Sequence, residues 1–361
     1  MKNKISKQKG ILGRGILTLL LIMGVSGCAP QKVIDELGIM HTIGVDLVNN
    51  KIMGSVLYPD FTDDKNLMLV TAEADNLTTL KTNLDLKLQY PMELGQLRVL
   101  VLGDTLSKAG FSRVLETLNK DPSVGMINVV VADHSSRQFL QSIIKSPPLF
   151  LSHMIEQATE YEGLPDTSIL SMQYQYFGEG IDVYLPNVKL DNQNKVELNG
   201  MSIFKKDKLK LRLSQKETFL FKTINEKNKK GTYPFKIRKN EKEANIGIHS
   251  LSGKHNIDIN LAENEVLIKL NLNCELKGLP NWMNIRKVEE LQLIAEKSMT
   301  NDIENMLVKL QKNQVDPLGL GMIYRSKNKI WSEDDFYKRV YPAFRFKVRT
   351  KIVFSQYGVV K

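Results

Sequence analysis

Cysteine is scarce in this chain, and the common catalytic motifs are missing from it. Of its 361 residues, only Cys28 and Cys274 are cysteine, which excludes a fold held together by a disulfide framework. The sequence contains no Gly-x-Ser-x-Gly, His-Glu-x-x-His, P-loop or Gly-x-Gly-x-x-Gly pattern, which weakens the common enzyme interpretations without excluding an enzyme. A hydrophobic content of 42% and a charged content of 25% are ordinary for a folded globular protein.

The first 27 residues lack Asp and Glu altogether. Their basic residues are Lys2, Lys4, Lys7, Lys9 and Arg14. An apolar stretch follows over residues 15–25, and it is shorter than the roughly 20 residues that span a bilayer. The small residues Ser26 and Gly27 then lead to Cys28. This order of basic, apolar and small residues predicts a cleaved secretory signal peptide over residues 1–27.

Cys28 is the predicted site of lipid attachment. The segment Val25-Ser26-Gly27-Cys28 resembles the lipobox of bacterial lipoproteins. The resemblance implies that the signal is cut before Cys28, that its sulfur receives diacylglycerol and that its amino group receives an acyl chain. Two acyl chains hold a protein on a membrane stably, whereas one binds reversibly. An uncleaved N-terminal anchor, or an ordinary cleavage site that precedes a cysteine, is the alternative.

The net charge is +10, but its distribution along the chain gives little support to a nucleic-acid partner. Half of it belongs to residues 1–27, and the other 334 residues carry 45 Lys and Arg against 40 Asp and Glu. So small an excess predicts no nucleic-acid binding.

The remaining positive charge concentrates on a predicted strand over residues 344–354. Its basic residues are Arg345, Lys347, Arg349 and Lys351. They alternate with apolar residues, so they share one face of the strand. We interpret this face as a solvated surface that protects a sheet edge. Contact with anionic lipid headgroups or with an acidic partner is the alternative.

Residues 31 to about 190 predict short strands that alternate with amphipathic helices. Strands over 39–47 and 51–58 flank Asn49-Asn50, a pair typical of tight hairpin turns. A stripe of leucines from Leu77 to Leu88 repeats at helical spacing. Asp104 is predicted to cap a helix whose inner face runs to Leu118.

The second half of the chain predicts strands, then one long helix, then a last strand. The strands fall at 201–204, 244–251, 257–261 and 266–274, and the helix runs from Val288 to Leu310. The polar run 191–195 is a predicted linker or long turn. The whole order predicts an α+β fold of mixed sheets with packed helices, in two main domains over 28–192 and 198–361.

No metal or cofactor site is expected. The histidines are scattered, at His41, His134, His153, His249 and His255, without a ligand spacing. Cys274 lies in an alternating apolar segment and is predicted to face the inside of a sheet. The segment Gly319-Leu320-Gly321 follows a proline, so we interpret it as a turn rather than a phosphate-binding loop.

The order of short segments along the chain resembles the Ger(x)C family of spore-germination lipoproteins. After the lipobox, the segments that carry the resemblance are Glu36-Leu37-Gly38-Ile39, Ile43-Gly44-Val45-Asp46, the run from Leu100 to Gly110, Leu185-Pro186, the run from Asn199 to Leu209, the run from Asp316 to Gly321, and Tyr357-Gly358. They span nearly the whole chain, although each is short and none is catalytic.

The family resemblance implies a non-enzymatic C subunit of a nutrient germinant receptor. Its expected partners are the receptor's membrane-embedded A and B subunits and, through Cys28, membrane lipid. Its expected location is the outer face of the cell membrane or the inner membrane of the spore. Two other functions stay open: a solute-binding lipoprotein that delivers a ligand to a transporter, and a surface hydrolase that uses an acidic side chain with one of the histidines.

Overall fold

The computed structural model describes residues 38–60, 63–88, 92–93, 97–120, 126–239, 242–277 and 288–357. The strands within these residues are β1 (Gly38–Ile39), β2 (Thr42–Val48), β3 (Lys51–Asp60), β4 (Asp63–Ala74), β5 (Met92–Glu93), β6 (Val99–Leu102), β7 (Asn128–Ala132), β8 (Tyr184–Leu190), β9 (Val196–Lys205), β10 (Lys208–Leu213), β11 (Gly231–Lys239), β12 (Lys242–Asn260), β13 (Glu265–Lys277) and β14 (Arg345–Tyr357).

The helices within the same residues are mostly short. They are α1 (Leu77–Asp85), α2 (Asp104–Ala109), α3 (Ser112–Asn119), α4 (Ser136–Ser142), α5 (Phe150–Tyr161), α6 (Ile169–Phe177), α7 (Gln215–Asn225), α8 (Val288–Lys312), α9 (Leu320–Lys327), α10 (Glu333–Asp335), a π-helix (Phe336–Val340) and α11 (Tyr341–Ala343). Among the described residues, no helix is both long enough and apolar enough to cross a membrane.

The larger sheet has eight strands in the order β10-β9-β8-β7-β6-β2-β3-β4. Its centre is parallel, because β2, β6, β7 and β8 run the same way, while antiparallel strands complete both sides. The parallel centre is buried on both faces: β6 has no exposed residue. Mixed sheets with packed helices confirm the predicted α+β class.

The smaller sheet has four strands in the order β11-β12-β13-β14, with β13 and β14 parallel. In β13, buried residues alternate with more exposed ones from Val266 to Leu276, and Cys274 is buried as expected. The sequence predicted two strands over 244–251 and 257–261, and this was wrong. One strand, β12, runs through both segments. A β-bulge between Ser250 and Ser252 accommodates the one-residue shift in the alternation of inward and outward side chains.

Two polar turns hold hairpins of the larger sheet. Asn49 and Asn50 both adopt positive φ angles, 51° and 63°, and join β2 to β3 as predicted. The polar run 191–195 is a turn between the antiparallel strands β8 and β9. The predicted boundary between residues 192 and 198 therefore falls within a hairpin, and β9 and β10 extend a sheet that begins in the first half of the chain.

The predicted helix from Asp104 to Leu118 is two helices. Gly110 separates α2 from α3 with a φ of 126°, and a Cβ there would lie 2.4 Å from a carboxylate oxygen of Asp207. Only glycine fits this turn without strain. Asp104 is not the cap, because Gly103 occupies that position and the Asp104 carboxylate binds Lys108 and Arg212 instead.

Buried side chains form three clusters around these two sheets. One covers each face of the larger sheet. The third lies between the smaller sheet and helices α7 and α8, and it also includes Tyr184 of β8 and Ile203 of β9. Side chains of both sheets therefore share one core.

Helix α8 covers the free edge of the smaller sheet. Glu304 accepts a hydrogen bond from the Val348 N–H at 3.1 Å, and Glu296 accepts one from the Ile352 N–H at 2.9 Å. The two acceptors lie about 12 Å apart along a helix, and the two donors about 13 Å apart along a strand. This match satisfies backbone groups that an edge strand otherwise leaves open to other chains.

Candidate functional site

A buried ion pair joins the middle of the chain to its C-terminal part. Asp182 lies just before β8, and Lys205 ends β9 on the neighbouring strand. The Lys205 ammonium lies 3.1 Å from Asp182 Oδ2. The same carboxylate oxygen accepts hydrogen bonds from the Asp316 N–H at 2.7 Å and from the Tyr337 hydroxyl at 2.9 Å. Asp182 thus ties together two strands, the segment after α8 and the π-helix.

Asp316 adds a second buried carboxyl group to this cluster. Its side chain is 1% exposed. Its Oδ2 accepts the Gly321 N–H at 2.8 Å, whereas its Oδ1 has no hydrogen-bond partner among the described residues. Its backbone carbonyl accepts the Asp182 N–H at 2.9 Å. An oxygen without a donor disfavours the charged form of the group.

Burial dominates the titration of this cluster. Burial, together with the charge of the neighbouring Asp182, raises the pKa of Asp316 to about 7 against the opposing effects of the Gly321 and Leu320 N–H groups and of Lys205. Burial also raises the pKa of Asp182 against the attraction of Lys205, and it lowers the pKa of Lys205 against the attraction of Asp182. The Tyr337 pKa is raised by burial and by Asp182. The protonation state of each of these four groups therefore depends on the charges of its neighbours in the cluster.

Two glycines allow the segment after Asp316 to approach the segment before Asp182. A Cβ on Gly321 would lie 2.7 Å from the Cα of Gly180, and Gly319 has a φ of 68° at the start of α9. The predicted turn is confirmed. The alternative phosphate-binding loop is wrong, because the Gly321 N–H is taken by Asp316 and the Met322 N–H by the Gly180 carbonyl.

A cavity of about 500 Å³ opens beside the ion pair. Aromatic and charged side chains line it, among them Tyr176, Phe177, Lys205, Lys206, Glu333 and Tyr337. A second cavity of about 550 Å³ lies between Gln157, Leu198, Lys216 and Phe219. Both volumes fall in the range of small-molecule sites, and among the described residues no histidine lines either of them.

A second polar cluster lies where the parallel strands of the larger sheet end. Arg212 lies 2.7 Å from Asp104, which follows β6, and 3.1 Å from Asp133, which follows β7. Burial opposes ionisation of Asp104, but hydrogen bonds from Lys108 and Arg212 outweigh it and hold the pKa of Asp104 below its usual value. Asp133 also accepts a hydrogen bond from Asn187 at 2.7 Å. The carboxylates of Asp104 and Asp133 therefore already have cationic or amide partners within the protein.

Asp46 lies near the C-terminal end of β2, in the same set of parallel strands, and caps a helix from the side. Its carboxylate accepts hydrogen bonds from the Ser136 N–H at 2.8 Å, the Arg137 N–H at 3.1 Å, and the hydroxyl groups of Ser135 and Ser136 at 2.9 and 2.8 Å. A negative charge at the first turn of α4 is stabilised by the helix dipole. The side chain is 1% exposed, so this is a structural contact.

The histidines do not come together. His249 contacts Thr232, and His255 lies 2.6 Å from the buried Lys229 ammonium. Burial, and then the charge of Lys229, lowers the pKa of His255 to about 4. Within the described residues, no three of His, Cys, Asp and Glu are grouped as metal ligands. Cys28 lies outside the described residues, so its lipid attachment stays a prediction.

An apolar stripe is exposed on α6. Leu170, Tyr174 and Phe177 lie on successive turns and are 55%, 59% and 61% exposed. The Tyr174 hydroxyl reaches the sulfur of Met322 at 3.6 Å, so the stripe continues onto α9. Large apolar side chains grouped on a surface mark sites where proteins contact one another.

Sequence patterns did not identify the buried cluster. Asp182 and Tyr337 carry no periodic or motif signal, and Lys205 was included only in the run from Asn199 to Leu209 that carries the family resemblance. The run from Asp316 to Gly321 was singled out by resemblance, and its last three residues as a turn, but neither signal placed Asp316 beside Asp182.

Comparisons with known proteins agree along the whole chain. Residues 30–190 match the family model described as the spore germination protein N-terminal domain, and residues 199–358 match the one described as spore germination B3/GerAC like, C-terminal. A curated relative, spore germination protein GerQC of Bacillus cereus, is 25% identical over 359 residues, which are 96% of this chain and 99% of the relative.

A solved structure shares the fold. The crystal structure of the GerBC protein covers 87% of this chain and 96% of its own, with a TM-score of 0.56 and 15% sequence identity. The two family models together account for most of the sequence, in the order expected. The chain belongs to the Ger(x)C family of spore germination proteins.

Proposed function

We propose that this protein is the lipid-anchored, non-enzymatic C subunit of a nutrient germinant receptor. In this proposal, diacylglycerol on Cys28 holds it on the outer face of the cell membrane or on the inner membrane of the spore, and it acts by contacting the A and B subunits. The match of both halves of the chain to spore germination domains carries the proposal.

The described surface and interior support a role in binding proteins. The carboxylates at the ends of the parallel strands are held by Arg212 and by backbone N–H groups, which suits a scaffold better than a catalytic site. The stripe on α6 exposes Leu170 and Phe177 at a surface that a partner subunit would cover. Tyr and Phe are residues that protein interfaces favour.

The anchor is tested by fractionating cells that produce Cys28→Ala. The variant should leave the membrane fraction or remain as an unprocessed precursor, since no thiol is present to carry the lipid. Ser26→Ala is the matched control, because it keeps a small residue before the cleavage point. Mass spectrometry of the N-terminal peptide should find acyl chains on Cys28 in the wild type and in Ser26→Ala.

The function is tested with spores that lack the gene. They should respond poorly to at least one nutrient, measured as the fall in optical density of a spore suspension, and the wild-type gene should restore the response. Normal germination with every nutrient tested would contradict the proposal.

Delivery of a solute to a transporter is the second candidate, and the cavity beside Lys205 and Glu333 favours examining it. A ligand that binds the folded form raises its thermal stability, and the rise grows with the logarithm of the ligand concentration. If the receptor proposal is correct, the nutrients that trigger germination should leave the melting temperature of the purified protein unchanged. A concentration-dependent rise would favour solute binding instead.

A further inference from the structure

One face of the smaller sheet carries positive charge, and none of the described helices or strands covers it. Helices α7 and α8 pack on its inner face, where Ile268, Leu270 and Val348 are buried. The side chains of the outer face alternate with these and are exposed. We define the basic face as Lys254 of β12, Lys269 of β13, and Lys347, Arg349 and Lys351 of β14, all exposed.

Strand register brings these five residues together. Lys269 stands directly beside Arg349, which places their Cα atoms about 4.8 Å apart. Lys254 pairs with Asn271, which in turn stands beside Lys351. The three basic residues of β14 follow one another at intervals of about 7 Å. The basic face therefore measures roughly 10 by 13 Å.

The described residues balance the charges of the basic face only weakly, through the attraction between Asp258 and Lys269. Among the described residues, none of the five forms an ion pair. Like charges that stand side by side on a sheet are destabilising, as at Lys269 and Arg349. An anion bound from outside would relieve this repulsion.

Asp258 stands at one corner of the basic face, in the same row as Leu267 and Lys347, whereas Glu265 and Glu275 of this sheet face lie outside it. Asp258 is paired with Lys327 at 2.5 Å, and Glu275 with Lys277 at 3.2 Å. Glu265 stands beside Arg345, which lies outside the defined set. The acidic charges therefore leave the centre of the basic face positive.

We infer that the basic face docks on the anionic headgroups of the membrane that anchors the protein. The inference rests on the proposed lipid at Cys28, because a tether confines the body to the membrane surface. Nine residues lie between Cys28 and Gly38, so the ten peptide steps from one to the other span at most about 35 Å. Within that reach, each basic residue brought to an anionic surface strengthens the contact about fivefold.

The bare sheet suits a membrane better than a folded partner. It offers flexible cations, the amide of Asn271 and the half-buried Leu267, and its described residues include no exposed aromatic side chain of the kind that anchors protein interfaces. Contact with headgroups requires matching charge over an area but no shaped pocket. The docked protein would turn its smaller sheet toward the lipid.

The test is lysine modification of the full-length, lipidated protein on vesicles. One vesicle contains phosphatidylcholine alone, and the other contains phosphatidylcholine mixed with phosphatidylglycerol. Lys254, Lys269, Lys347 and Lys351 should be modified at least about threefold more slowly on the anionic vesicles. Lys145, Lys210 and Lys297 are exposed elsewhere and should react equally on both. High salt should abolish the protection, because it screens exposed charges.

A charge-reversal pair of variants isolates the role of the basic face. Lys269→Glu, Lys347→Glu and Arg349→Glu combined should remove the protection of Lys254 and Lys351. The control combines Lys145→Glu, Lys210→Glu and Lys297→Glu, which change the net charge equally, and it should keep the protection. Equal melting temperatures of the two variants show that both are folded.

The possible outcomes test the docking of the basic face and the proposed lipid anchor separately. If the protein floats with both vesicles but its lysines react equally on both, the docking inference is overturned and the anchor stands. Protection that survives the reversal in the basic face also overturns it. If the protein floats with neither vesicle and its N-terminal peptide carries no acyl chain, the proposed anchor fails.

Discussion

Asp316→Asn should make the stability of the protein less dependent on pH. The amide keeps the size of the carboxyl group, and its oxygen can accept the Gly321 N–H that Asp316 Oδ2 accepts at 2.8 Å. The Asn nitrogen then replaces Oδ1, which has no partner among the described residues to lose. The substitution therefore removes an ionisable group from the core while leaving the contacts nearly intact.

The sign and size of the effect follow from the raised pKa of Asp316. It is about 7 in the folded protein and 3.8 as the ordinary value, so the folded protein holds the proton more tightly. The contribution of this group to the free energy of unfolding is fully present below pH 3.8 and is lost as the pH rises through 7. Between about pH 5 and pH 8, the loss amounts to about 2 to 3 kcal/mol.

The assay is urea unfolding followed by tryptophan fluorescence at several pH values. His255 acts in the opposite sense, because its pKa is lowered to about 4 and its contribution grows as the pH rises toward 6.5. The difference between wild type and Asp316→Asn therefore carries the test. The wild type should lose about 2 to 3 kcal/mol relative to the variant over this range.

A control variant removes an exposed carboxyl group instead. Asp258→Asn lies on the sheet surface beside Lys327 and should keep the wild-type slope. If Asp316→Asn also keeps the wild-type slope, Asp316 is ionised in the folded protein and the description of the buried cluster is wrong.

Three further substitutions test contacts elsewhere. Asp46→Ala should lower the free energy of unfolding by about 3 kcal/mol, because buried donors of α4 lose a charged acceptor, and Asp46→Asn should lose less; equal losses would argue against the carboxylate as cap. Arg212→Ala leaves Asp104 without one of its cations and should lower stability by about 1 kcal/mol in urea titration. Glu304→Ala frees the Val348 N–H and should speed its hydrogen exchange, while unchanged exchange would contradict the edge-capping contact.

Short-range sequence patterns predicted the structural elements whose formation depends on residues close together in the chain. The Asn49-Asn50 hairpin and the alternation of β14 were both confirmed, because turn residues and strand period act over a few positions. The split at Gly110 was missed. Its cause is the contact of Gly110 with Asp207, almost a hundred residues away, which no helical periodicity reports.

The buried cluster was beyond sequence patterns for the same reason. Asp182 and Asp316 look like ordinary loop acids in the sequence, and only the crossing of distant segments makes them neighbours. Gly321 was predicted to form a turn, which is correct, but its close contact with Gly180 needed the folded structure. Fold class and family could be predicted, whereas the coupled charges could not.

Purification from spore membranes tests most directly whether this protein works as a subunit of a membrane receptor. A tagged wild-type protein should bring down the receptor's A and B subunits, identified by mass spectrometry. Leu170→Asp combined with Phe177→Asp should reduce their recovery, while Leu293→Asp, on an exposed leucine of α8, should not. Recovery of the wild-type protein without either subunit, from membranes that contain both, would contradict this role.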